Sequence, residues 1–160
     1  MNLVTGMPEI PFRKQGGRVH RSPFTLWGGA RGWLRPVRRT TSLPPDPSSA
    51  SVARAFVRNV LAEWDLTVME PDACLVATEL VTNGLRHGGG ADSMTLTATH
   101  RSLRIAVCDK AALRSPRRLY RELTAEGGRG IALVEAVADT WGTTRLRAHR
   151  GKAVWCKLKI

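Results

Sequence analysis

The sequence predicts an α+β fold: a two-layer sandwich with a mixed, mainly antiparallel sheet and helices on one of its faces. Three observations predict it. Two segments with helical apolar spacing succeed each other between residues 51 and 87. Four strand-like runs then come as two hairpins, which favours antiparallel pairing. A third helical segment separates the hairpins, so the order is helix, helix, strand, strand, loop, helix, strand, strand. Helices that bury one stripe and strands that bury one face are satisfied together when the helices lie on the sheet.

The first 45 residues stand apart. They are rich in Gly, Pro, Arg and Ser, show no sustained periodicity, and carry eight Lys/Arg against one acid, Glu9, a net of +7. Residues 46–160 carry seventeen basic and twelve acidic residues, so the arm holds most of the formal charge of +12. Residues 1–45 are therefore expected to be a basic, disordered arm, with a short strand near Val37–Leu43, and residues 46–160 a single globular domain. Such an arm is suited to nucleic acid or an acidic partner. The chain has no aromatic stacking platform and no recognition-helix pattern, so nucleic acid ranks last among the expected partners.

Each element has its own signal. The run LPPDPSS rejects helix up to Pro47, and Ser48 or Ser49 is placed to cap the first helix. SVARAFVRNVLAEW then puts Val52, Phe56, Val60 and Leu61 on one face, an amphipathic helix. The next helix opens near Pro71 and stops at Gly88-Gly89-Gly90, in keeping with the preference for Pro at helix starts and Gly after helix ends. SMTLTATH and SLRIAVCD read as strands joined by a hairpin around His100–Ser102. An Arg-rich loop runs from Lys110 to Glu126, and the glycines of EGGRG open a third helix, IALVEAVAD. The end of the chain reads as two strands joined near His149–Gly151.

No apolar run approaches the roughly 20 residues needed to span a membrane, and the N-terminus lacks the apolar stretch of a signal peptide. The expectation is a cytoplasmic protein without membrane contact. Cys74, Cys108 and Cys156 are far apart, odd in number and without metal-ligand spacing, so they are expected to be buried thiols in a reducing compartment.

Three constellations carry chemistry. In ATELVTNGLRHGGG, with Glu79 set at zero and 100° per residue, Asn83 falls at about 40° and His87 at about 80°. Leu80, Gly84, Ala77, Val81, Cys74 and Leu85 fill the arc beyond them. The polar stripe thus borders the apolar one, as on a helix lining a cleft. A carboxylate there can serve as general base, and an Asn amide oxygen is a hard neutral ligand suited to Mg²⁺. Alone, the stripe is equally an exposed helix face. IAVCDK ends an apolar strand in Asp109, which is placed either to accept a hydrogen bond from a ligand amino group or to cap a turn. EGGRG sets Gly127, Gly128, Arg129 and Gly130 at a helix N-terminus, where free N–H groups and roughly half a positive charge favour a phosphate. It is neither a Walker A loop nor a Rossmann fingerprint.

The ordered set ELVTNGLRHG, VCD, GGRGIALVEAVADTWG and GKAVW resembles the ATPase-domain superfamily of gyrase, histidine kinases and related chaperones. It resembles the bacterial anti-sigma-factor serine/threonine kinases most closely, over about residues 46–160. The resemblance implies the histidine-kinase-like ATPase fold, with ATP and Mg²⁺ as cofactors. It implies that Glu79 is the general base and Asn83 the Mg²⁺ ligand, with His87 near the phosphates. Asp109 would recognise the adenine amino group, and Gly127, Gly128, Arg129 and Gly130 would lie along the phosphates. The partners implied are a sigma factor and an anti-sigma antagonist phosphorylated on serine or threonine, with a possible homodimer.

Two departures stand out. The superfamily's D-x-G-x-G is here Asp109-Lys110-Ala111. A Thr common just before V-W, which helps hold the adenine acid or its water, is here Ala153, a loss of one hydrogen bond worth about 0.5–1.5 kcal/mol. The alternative reading is therefore a catalytically inactive nucleotide- or partner-binding regulatory module.

Overall fold

A computed structural model describes residues 35–110, 129–146 and 151–160. Its elements are β1 (Val37–Ser42), α1 (Ser49–Glu63), α2 (Glu70–His87), β2 (Ala91–Ala98), β3 (Ser102–Asp109), α3 (Arg129–Val137), β4 (Thr140–Leu146) and β5 (Gly151–Lys159). A 3-10 turn, Thr67–Met69, leads into α2. The strands form one five-stranded sheet in the order β1-β2-β3-β5-β4. All four pairings are antiparallel, so the mixed sheet allowed by the sequence is antiparallel throughout. Among the described residues no helix is long and apolar enough to cross a membrane.

The strand expected near Val37–Leu43 forms as β1. It joins the sheet as an edge beside β2, and Leu43 N–H continues the pairing to Asp92 O at 2.9 Å. Its Arg39 guanidinium binds Glu63 at the end of α1, fixing the edge to the helical layer. The rest of the expected arm, residues 1–34, lies outside the described residues.

The start of α1 uses a different cap from the expected one. Ser48 is the N-cap residue but makes no side-chain cap bond. Instead the Asp46 carboxylate accepts from Ser48 N–H at 2.8 Å, and the buried Ser49 hydroxyl donates to Pro44 O. The buried stripe of α1 is Ala53, Val57, Val60 and Leu61. It is rotated by one residue from the Val52–Phe56 face read from the sequence. Val52 is exposed, and Phe56 packs at the margin of the core. The rotation stems from Trp64 and Leu66, which are enclosed just past the helix and pull the Ala53 side inward. Large enclosed side chains such as Trp64 and Leu61 each stabilise the fold by about 1.5–3 kcal/mol through apolar burial.

Alternation divides the sheet into two faces. Met94, Leu96 and Ala98 of β2, Leu103, Ile105 and Val107 of β3, and Val154, Cys156 and Leu158 of β5 are buried in the core. The opposite set includes Arg104, whose guanidinium lies 4.9 Å from the Trp155 ring, and Thr144, which accepts from Trp155 Nε1 at 3.1 Å. Of the three thiols, Cys156 is buried, whereas Cys74 and Cys108 are half-buried, so the expectation of three buried thiols holds fully for one.

Candidate functional site

Helix α2 supplies the polar stripe. Pro near its first position and Glu70 and Asp72 in the first turn suit its positive end, and Arg86 and His87 suit its last turn. Ala73, Val76, Ala77, Leu80, Val81 and Gly84 are buried. Glu79, Asn83 and His87 are each half-buried, as residues on the border of an apolar face should be. Thr78 is spent within the helix, since its hydroxyl donates to Cys74 O at 2.8 Å.

Asn83 differs from an ordinary border residue. Its amide nitrogen is buried and makes no hydrogen bond. An unpartnered buried amide costs about 1–3 kcal/mol. Among the described residues no group fixes that end of the side chain, so the amide is free to present its oxygen at the same place.

The end of α2 meets the end of β3. Gly88, just past the helix, leaves no room for a side chain: a Cβ there would lie 2.7 Å from both Cγ and Oδ2 of Asp109, and 2.6 Å from Gly84 O. On the other side, a Cβ at Gly151 would lie 2.1 Å from Asp109 O. Two glycines therefore let the end of α2 and the start of β5 close around the Asp109 backbone and carboxylate. Asp109 is 4% exposed.

Asp109 is not alone there. Lys152, directly opposite in the β3–β5 register, is 3% exposed and places Nζ 3.0 Å from Oδ1 and 3.0 Å from Oδ2. A carboxylate has about four lone-pair sites and can accept from several donors at once. The ammonium also keeps the buried acid compatible with its charged form. Burial pushes the neighbouring Cys108 thiol up, and the Asp109 charge adds to the effect.

This register corrects one expectation. Ala153, read from the sequence as the position that should support the acid, stands opposite Cys108. Alternation turns it to the other face of the sheet from Asp109 and Lys152. A Thr at 153 would not face the acid, so Ala153 removes no direct hydrogen bond from it. The supporting residue missed by sequence reasoning is Lys152. Its signal was present: it falls on the same period-2 face as Val154, Cys156 and Leu158, and a lysine there requires a buried counter-charge.

Of the residues expected along the phosphates, Arg129 and Gly130 are the first two residues of α3, and α3 packs on α2. Gly127 and Gly128 lie outside the described residues, as does Ala111.

Residues 43–157 match the model of the histidine kinase-like ATPase domain. The chain belongs to the histidine kinase-like ATPase family. The match spans β2 to β4 completely and both helices of the α1–α2 pair, so the ATPase domain includes every described site residue. No curated protein matches the chain. Among solved structures, a chain of the SiaB–SiaC complex from Pseudomonas aeruginosa is similar at 13% identity, with a TM-score of 0.43, covering 76% of this chain and 88% of that one. The residues present fit a nucleotide: a buried, unmatched amide at Asn83, a buried acceptor at Asp109, and a glycine that brings helix and acid together.

Proposed function

We propose that the chain is an ATP- and Mg²⁺-binding regulatory protein of the anti-sigma-factor type, a cytoplasmic serine/threonine kinase acting on an anti-sigma antagonist. The observation that carries the reading is Asn83: its buried amide nitrogen has no partner among the described residues, on the helix whose end abuts Asp109. Native proteins rarely leave such a group unmatched unless a ligand completes it. Membership of a nucleotide-binding family supplies the ligand class.

Each residue then has a task. Asp109 would accept a hydrogen bond from the adenine amino group. Asn83 would hold Mg²⁺ through its amide oxygen, and the ion would supply charge neutralisation at the phosphates. The phosphates are assigned to Gly127, Gly128, Arg129 and Gly130, as the resemblance implies. Glu79 stands one turn before Asn83 and takes the proton of the attacking hydroxyl. Phosphoryl transfer asks mainly for positioning and charge stabilisation, which these groups supply. The regulatory role adds a sigma factor and its antagonist as partners, with a homodimer as the possible assembly.

The experiment is calorimetric titration of ATP with Mg²⁺ into wild type and Asn83→Ala. Micromolar binding by wild type, with its Mg²⁺-dependent part lost in the variant, supports the reading. Absence of binding by both refutes it and leaves a partner-binding module. Phosphotransfer lost in Glu79→Ala with ATP binding retained supports the kinase step, and unchanged phosphotransfer refutes it.

A further inference from the structure

The buried ion pair between Lys152 and Asp109 is more than an anchor between two strands. It joins the end of β3 to the start of β5, where Gly88 lies close to the same carboxylate and Gly151 lies close to the backbone carbonyl of Asp109. A purely structural pair has no reason to sit beside the unpartnered Asn83 helix rather than in an ordinary turn. A carboxylate this enclosed favours its neutral form unless a cation is in contact with it. Lys152 is such a cation, bridging both oxygens at 3.0 Å.

The protonation state decides what the acid reads. An ionised carboxylate only accepts hydrogen bonds, and so it selects a base carrying an amino group. A protonated carboxyl can donate, and so it tolerates a base carrying a carbonyl at the same position. We propose that Lys152 is a positioning residue for base recognition: it holds Asp109 ionised and oriented, so that the site selects a 6-amino purine over a 6-oxo purine. The proposal rests on the nucleotide reading above.

The other charged and titratable groups around Asp109 are few among the described residues. Arg145 of β4 stands opposite Lys152 in register, and Cys108 precedes the acid. His87 precedes Gly88 at the end of α2. Lys110 is engaged outward with Asp92 at 3.3 Å. None of these bridges the carboxylate as Lys152 does.

The test measures ATP and ITP binding, with Mg²⁺, across about pH 6 to pH 9. The proteins compared are wild type, Lys152→Met and Lys152→Arg. Wild type is expected to prefer ATP by about 10–150-fold, the range of a hydrogen bond to a charged group, with a ratio that stays flat across this range. In Lys152→Met the ratio should collapse at the acid end and recover as pH rises and Asp109 ionises. Lys152→Arg should restore the flat profile. If Lys152→Met does not fold, Lys152→Gln carries the same expectation with a neutral side chain of similar length.

A pH-independent ATP/ITP ratio in the neutral variant, equal to that of wild type, would reduce Lys152 to a structural role and overturn the proposal. Wild type that binds ATP and ITP equally would overturn it as well, while leaving the nucleotide reading intact. Wild type that binds neither nucleotide overturns both.

Discussion

The ammonium of Lys152 lies 3.0 Å from each carboxylate oxygen of Asp109, and both side chains are shut away from solvent. Two charges are thereby taken out of water at the one point where the second helix, the third strand and the last strand converge. Desolvation of such a pair can cancel its attraction, whereas removing one member strands a buried charge.

Asp109→Ala is therefore expected to lower stability by about 3–5 kcal/mol, because Lys152 is left unpaired. The double variant Asp109→Leu with Lys152→Met should regain most of the loss, since two apolar side chains need no partner. Urea unfolding midpoints of the three proteins check this. A double variant no more stable than Asp109→Ala would contradict it.

Gly88→Ala isolates the contact between helix end and acid. Gly88 has φ −100°, which alanine adopts without strain, so any cost comes from the added methyl group. That methyl would press on Asp109 and on Gly84 O at 2.6–2.7 Å. The expected loss is about 1–3 kcal/mol of stability, with weaker ATP binding because the carboxylate must move. Thermal unfolding and calorimetry on the same preparation report both effects.

Asn83→Leu should separate stability from function in opposite directions. It removes a buried amide that has no partner and leaves an apolar side chain on the margin of the core. Unfolding free energy should rise by about 1 kcal/mol or more, while Mg²⁺-dependent ATP binding disappears. A variant that is less stable than wild type would show that the amide is matched in the native protein.

Cys156 sets an alkaline limit. Burial pushes its thiol from the ordinary 9.0 up to about 11. The folded state therefore holds the proton more tightly than the unfolded chain. The corresponding stability is fully present below about pH 9 and is lost as pH rises towards 11. Cys156→Ala should flatten this part of the stability profile while lowering stability at neutral pH through lost packing. Alkylation at about pH 8 should leave Cys156 unmodified until the protein unfolds.

Much of this was legible in the sequence. Pro71 and Gly88 bracket the second helix to within a residue, because caps act locally. The stripe of Glu79, Asn83 and His87 could be drawn because one helix carries all three. The rotation of the first helix could not, because Ala53 is a weak hydrophobic signal and its burial is set by Trp64 and Leu66 beyond the helix end. The meeting of Gly88 with Asp109 and the choice of Lys152 over Ala153 depend on strand register. Register is set by pairing across 43 positions, between residues 109 and 152, and not by any local pattern.

The first strand has a history as well as a place. Val37 leaves the ribosome long before its partner Ala98, which stands 61 positions later. At ~5–20 residues per second, the strand waits about 3–12 s for β2 to arrive. An unpaired strand of that kind invites pairing with the wrong chain. Two adjacent arginines, Arg38 and Arg39, make it a poor template for aggregation. Glu63 emerges well before β2 does, so the Arg39–Glu63 contact can hold the nascent strand against the first helix until the sheet exists to receive it.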